Sequence, residues 1–167
     1  MNKQVWIEKA LGLGIQEFEI YQSTTVEKEM TWFQGQMDTL VSSKVTGTSI
    51  RGIVDGKMAN MALEEINDDQ CEIILKSLIE QAHIISNEET DSLRKPEPIE
   101  YVKKDVTWNM ASTEYVKDIL QSLEAKILAY DPRVIQVGYL GYSQGSGSRS
   151  IVNSLGMDVQ DADEMQY

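Results

Sequence analysis

Gly47-Thr48-Ser49-Ile50-Arg51-Gly52-Ile53-Val54-Asp55-Gly56-Lys57 is the stretch that decides the fold. Its β-branched residues favour an extended chain. Asp55-Gly56 then fits a type I′ turn, which needs positive φ at both central residues. The spacing predicts a strand over 48–54, a two-residue hairpin and a return strand over 57–63. Arg51 sits in the middle of an otherwise apolar strand, so its guanidinium must reach solvent, a carboxylate or a ligand.

Upstream of the hairpin, alternation continues. Glu17-Phe18-Glu19-Ile20-Tyr21-Gln22 reads as a strand, and Val26, Met30 and Trp32 place a second strand over 26–32. Gln34-Gly35-Gln36 is a turn, and Met37, Thr39, Val41 and Val45 carry a third strand to about residue 46. Each connection is too short for a crossover, so the strands form an antiparallel meander. Before them, Val5, Trp6, Ala10 and Leu11 recur at helical spacing, and Gly12 and Gly14 stop that helix.

Downstream, the period changes to 3.6. Asn67 or Asp68 caps a helix over about 68–87 whose stripe is Cys71, Ile74, Leu75, Leu78, Ala82 and Ile85. Residues 88–110 carry Pro96 and Pro98 and read as an extended, solvated surface excursion. Ser112 caps a third helix with Val116, Ile119, Leu120, Leu123, Ile127 and Leu128 inward, ended by Asp131-Pro132. A strand over 133–142, a turn at Gln144-Gly145-Ser146-Gly147, a partner strand over 148–153 and a turn at Asn153-Ser154-Leu155-Gly156 follow. Met157–Tyr167 starts a further strand with no obvious partner. The fold class is α+β: a mainly antiparallel sheet with an Asp-Gly hairpin, packed against about three helices, in a single domain over 1–167.

Composition narrows the function. Fifteen Lys and Arg stand against 27 Asp and Glu, a net charge of −12. Without a basic stripe, such a surface repels phosphate backbones, so direct nucleic-acid contact is disfavoured. No apolar run approaches the roughly 18–20 residues that span a bilayer, and the first residues lack the apolar core of a signal peptide. The single cysteine excludes an internal disulfide. A cytoplasmic, bacterial-type protein is the expectation.

No self-sufficient catalytic motif is present. Cys71 and His83 fall twelve residues apart on one predicted helix, about 18 Å along its axis, too far for a nucleophile and its base. A catalytic zinc ion takes three protein ligands, and one His with one Cys leaves that set incomplete. The acidic run 64–69 lacks the glycine and terminal glutamate of a calcium loop. Gly145-Ser146-Gly147-Ser148 lacks the lysine and following helix of a phosphate loop.

The order of elements resembles the N-terminal domain of the TldD/PmbA proteins, once called modulators of DNA gyrase and now grouped with metallopeptidases. The similar features are Gly12 and Gly14 before Glu17-Phe18-Glu19-Ile20-Tyr21, then Gly47-x-x-Ile50-Arg51-x-Ile53-x-Asp55-Gly56-Lys57, the helix over 68–87 and the Asn153-Ser154-x-Gly156 turn. After the hairpin this chain departs from the family's glycine pattern at Met58-Ala59-Asn60-Met61.

The resemblance implies proteolysis of peptides or unfolded segments by an assembly of related subunits, with this chain a non-catalytic part nearer the PmbA/TldE-like branch. It implies no cofactor in this chain, and zinc in an absent C-terminal domain or in a partner subunit. A peptide substrate and a homo- or hetero-oligomeric partner follow, with no membrane contact. Arg51, Lys57, Asn153 and Ser154 become candidate peptide or subunit contacts. The alternative is a stand-alone binding or scaffold module, or a regulator of DNA gyrase, without a proteolytic role.

Overall fold

The Asp55-Gly56 hairpin forms as its sequence dictates. Asp55 adopts φ 49° and Gly56 φ 75°, the left-handed pair of a type I′ turn. From it the flanking strands pair in register, Val54 with Lys57, Arg51 with Asn60 and Thr48 with Leu63. The computed structural model describes residues 1–64, 66–86, 90–98 and 110–166.

Five strands form one sheet: β1 (Glu17–Phe33), β2 (Gln36–Val54), β3 (Lys57–Leu63), β4 (Leu140–Asn153) and β5 (Asp158–Gln166), in the order β3-β2-β1-β4-β5. The strands are antiparallel, and three helices, α1 (Lys3–Gly12), α2 (Cys71–Ile84) and α3 (Thr113–Tyr130), complete an α+β fold.

The four short strands expected between 17 and 54 are two long ones. Ser23-Thr24-Thr25 contains β-branched residues and no Gly, Pro, Asn or Asp, so β1 runs straight through. Gly47 keeps a negative φ, and a Cβ there would sit 3.7 Å from Ser23 Oγ, so it stays extended within β2. Gln34 and Gly35, with φ 49° and 75°, repeat the hairpin geometry of Asp55-Gly56.

Two further expectations are corrected. The strand placed over 133–142 begins only at Leu140; Ile135 is 90% exposed, so no burial draws its segment into the sheet. The turn placed at Gln144–Gly147 lies inside β4. There the buried Gln144 amide accepts from Ala111 N at 2.9 Å and donates to Ala111 O at 3.2 Å, which holds the backbone extended. The last strand does have a neighbour, β4. Tyr167 lies outside the described residues.

The described residues fall into two compact units. The first gathers those of Met1–Thr24, Thr46–Val102 and Ser148–Asp161. Its core joins Trp6 and Ala10 of α1, Phe18 and Ile20 of β1, Ile50 and Val54 of β2 and Cys71, Leu75, Leu78 and Ala82 of α2. The period-two and period-3.6 patterns meet there. Gly52 marks the tightest approach, because a Cβ would lie 2.9 Å from Leu78 Cδ2 and 3.0 Å from Ile15 Cγ2. Asn67 caps a short 3-10 turn, Asp68–Gln70, that leads into α2.

The second unit gathers the described residues of Thr25–Val45, Lys103–Gly147 and Ala162–Tyr167. Met30, Trp32, Val116, Leu120 and Tyr142 form its core. Ser112 caps α3 by accepting from Tyr115 N. The expected inward face of α3 is corrected in part: Val116 and Leu120 are buried, whereas Ile119, Leu123 and Leu128 are exposed. Glu124 is buried in their place, because its carboxylate accepts from Trp32 Nε1 at 2.7 Å and Gly35 N at 3.0 Å. Those two bonds satisfy a group that would otherwise stay in water.

Candidate functional site

Strand alternation puts Phe18 and Ile20 against the helices and Glu17 and Glu19 on the opposite face of β1. Glu19 is nonetheless only 2% exposed. A buried carboxylate needs charge and hydrogen bonds around it, and two segments supply them. Arg51, from β2, approaches Oε1 with Nε at 2.7 Å and Nη2 at 2.6 Å. Asn153, at the end of β4, donates Nδ2 to Oε2 at 3.3 Å. The same Nδ2 donates to Arg94 O at 2.9 Å.

Asn153 is also the hub of the β4–β5 turn. Its Oδ1 accepts from Leu155 N at 3.0 Å and Met157 N at 2.9 Å, and Gly156 takes φ 93° to close the turn. Ser154 fastens that turn to β1: its N donates to Phe18 O at 2.8 Å, and its Oγ accepts from Phe18 N at 2.9 Å. The Asn-Ser-x-Gly motif is therefore a turn whose two polar side chains bond inward.

The extended segment 90–96 lies over this face. Asp91 N donates to Gly56 O at 2.9 Å, Asp91 Oδ2 accepts from Met58 N at 3.1 Å, and Glu17 Oε2 accepts from Leu93 N at 2.6 Å. Leu93 is buried. The segment expected to be solvated is thus tied down at residues 91–94, while residues 95–98 are exposed as expected. Residues 88–89 and 99–109 of that expectation lie outside the described residues.

The structure brings three of the four candidate contacts together. Arg51 and Asn153 share Glu19, and Ser154 is next in the chain. Lys57 stands apart: it is three residues along β3 from Asn60, the partner of Arg51. That is about 10 Å along the strand and on the other face by alternation. Glu19 itself was missed by sequence reasoning. The signal that points to it is Arg51, whose mid-strand charge calls for a carboxylate.

The arrangement holds rather than reacts. Both Glu19 oxygens accept bonds, and the Asn153 amide uses donor and acceptor atoms alike. Arg51 keeps one flank toward solvent, its side chain being 44% exposed. In the second unit, a groove of about 410 Å³ is lined by Gln34, Gly35, Glu124, Leu128, Ile135 and Val137. Its one carboxylate is engaged by Trp32 and Gly35.

A zinc site does not fit the described residues. No group of three or more His, Cys, Asp or Glu side chains among them could hold a metal ion. Cys71 is buried, and that burial pushes its thiol up, away from the thiolate a metal needs. His83 is exposed and faces Asp55 at 3.6 Å. No helix among the described residues is long and apolar enough to cross a membrane.

Comparison with known proteins agrees with this architecture. The family model for PmbA/TldA metallopeptidase domain 1 matches residues 18–86, and that for the PmbA/TldA metallopeptidase central domain matches residues 107–166. The chain belongs to the PmbA/TldD metallopeptidase family. No curated protein sequence matches it.

Solved structures share its fold. TldE from Thermococcus kodakarensis superposes with a TM-score of 0.81 at 18% identity, covering 97% of this chain and 37% of that one. A protein from Thermotoga maritima described as a candidate modulator of a DNA gyrase gives 0.78 at 19% identity, covering 98% and 37%. A Bacteroides thetaiotaomicron protein described in the same way gives 0.75 at 16% identity, covering 98% and 38%. The chain therefore spans little more than a third of the length of these structures.

Proposed function

We propose that this chain is the non-catalytic N-terminal part of a PmbA/TldD-type peptidase subunit, where it shapes the substrate chamber and the contacts between subunits in the cytoplasm. The observation that carries this reading is the match of the family's first and central domain models, in chain order, to residues 18–86 and 107–166. The Glu19 network adds support. The family-like residues Arg51, Asn153 and Ser154 build a rigid wall, with their bonding atoms turned toward the protein.

In this reading the zinc and the peptide-cleaving groups come from a C-terminal domain or a partner subunit. The outer flank of Arg51 and the ammonium of Lys57 meet carboxylates of an extended peptide or a neighbouring subunit. Asn153 and Ser154 contribute by fixing the β4–β5 turn. Peptide binding tests the assignment. A labelled unfolded acidic peptide should bind the chain, and Lys57→Glu should weaken it about three- to tenfold, as expected for one charge contact near a surface. An affinity unchanged by Lys57→Glu removes Lys57 from the contact, and no binding at all contradicts the chamber-wall role.

A further inference from the structure

The outer edge of β2 is only half covered. Strand β3 pairs with Thr48–Val54 and stops. From Gln36 to Thr46, β2 has β1 on one side, and no described strand pairs with its other side. This edge carries exposed apolar residues: Met37, Leu40, Val41 and Val45, the last two 53% and 63% exposed. A long, apolar, open edge is a template for another strand.

We propose that residues 37–45 of β2 pair antiparallel with the same residues of a second copy of this chain, centred on Val41. The order Met37-Asp38-Thr39-Leu40-Val41-Ser42-Ser43-Lys44-Val45 is chemically self-complementary about that centre. Antiparallel superposition sets Met37 against Val45, Asp38 against Lys44, Thr39 against Ser43 and Leu40 against Ser42 of the second copy. An edge lysine ordinarily repels an incoming strand; here it meets a carboxylate, twice by symmetry.

The backbone permits this register. Thr39 N–H points back to Thr31 Oγ1, and Ile53 O accepts from Gln16 N. From Thr39 to Ile53 the odd-numbered residues of β2 therefore face β1, and Leu40, Ser42 and Lys44 turn their N–H and C=O groups outward. In the proposed register Leu40 opposes Ser42 of the second copy, outward groups against outward groups, and such pairs exchange two hydrogen bonds each. A shift by one residue would set outward groups against inward ones. Among the described residues, the only side-chain hydrogen bond at either charge is from Thr31 Oγ1 to Asp38 at 3.3 Å. The inference deepens the subunit contact proposed above and rests on that part of the reading, not on proteolysis.

Sedimentation equilibrium on the 167-residue chain, to about 1 mM where weak association becomes populated, tests it. The expected result is a reversible dimer. Asp38→Lys and Lys44→Glu, each setting like charges opposite one another, should each weaken it about tenfold or more. The double exchange Asp38→Lys with Lys44→Glu should restore it. Leu40→Pro, which removes an outward N–H and leaves the β1 side alone, should abolish it. A monomer throughout, or a dimer indifferent to all these variants, overturns the inference. A monomer that still binds peptide overturns it while leaving the chamber-wall reading intact.

Discussion

Arg51 grips Glu19 through two nitrogens on a single oxygen, Nε at 2.7 Å and Nη2 at 2.6 Å. The pair is lopsided, with the carboxylate at 2% exposure and the arginine at 44%. Removing the arginine strands a buried charge, whereas removing the carboxylate lets the arginine return to water. Arg51→Met should therefore cost about 2 kcal/mol, below the range for fully buried pairs because solvent screens one partner. Glu19→Gln should cost less, and a double-mutant cycle by urea unfolding should show coupling of about 1 kcal/mol or more.

Asn153 makes four hydrogen bonds from one amide, two as donor and two as acceptor. Asn153→Asp keeps the acceptor but sets a second carboxylate against Glu19. A loss of about 3 kcal/mol is expected in urea unfolding, exceeding the loss from Asn153→Ala. Equal losses would show that the Glu19 contact carries little.

Gly52 lies where β2 meets Leu78 and Ile15 at 2.9 and 3.0 Å from a would-be Cβ. Gly52→Ala should overpack this contact and cost about 1–3 kcal/mol, measured by thermal unfolding. Gly12, with nothing within 4 Å of a Cβ, serves as the control.

Asp68 links α1 to the start of α2. Trp6 Nε1 donates to its Oδ1 at 2.8 Å, and this bond, aided by the Asn2 amide and opposed by burial, holds the carboxyl below its ordinary 3.8. A depressed carboxylate stabilises the fold above its unfolded value, and that contribution fades as pH falls through the lower folded value. Stability should thus drop below a pH of about 4. Asp68→Asn, which keeps an acceptor for Trp6, should flatten that acid limb in tryptophan-monitored unfolding. An unchanged limb would show that other carboxylates govern it.

Local chemistry made much of this fold legible. Asp55-Gly56 could close only one kind of turn, and Ser112 stood where a helix needed a cap. Strand breaks were harder to read, because Ser23-Thr24-Thr25 and Gly47 permit a bend without requiring one. Neighbouring strands keep both segments straight. The buried carboxylates Glu19 and Glu124 were least legible. Each looks like a solvent-facing residue in its own period, and only partners 32 and 92 positions away, Arg51 and Trp32, explain its burial. The exposed apolar residues Ile119 and Leu123 reversed the same expectation on α3.

The central claim is that this chain supports a peptidase without performing the cleavage. The most direct measurement incubates the purified chain with an unfolded protein and equimolar zinc, then counts new peptide termini and metal retained after dialysis. The account predicts no new termini and no stoichiometric zinc. Zinc-dependent cleavage by this chain alone would contradict it.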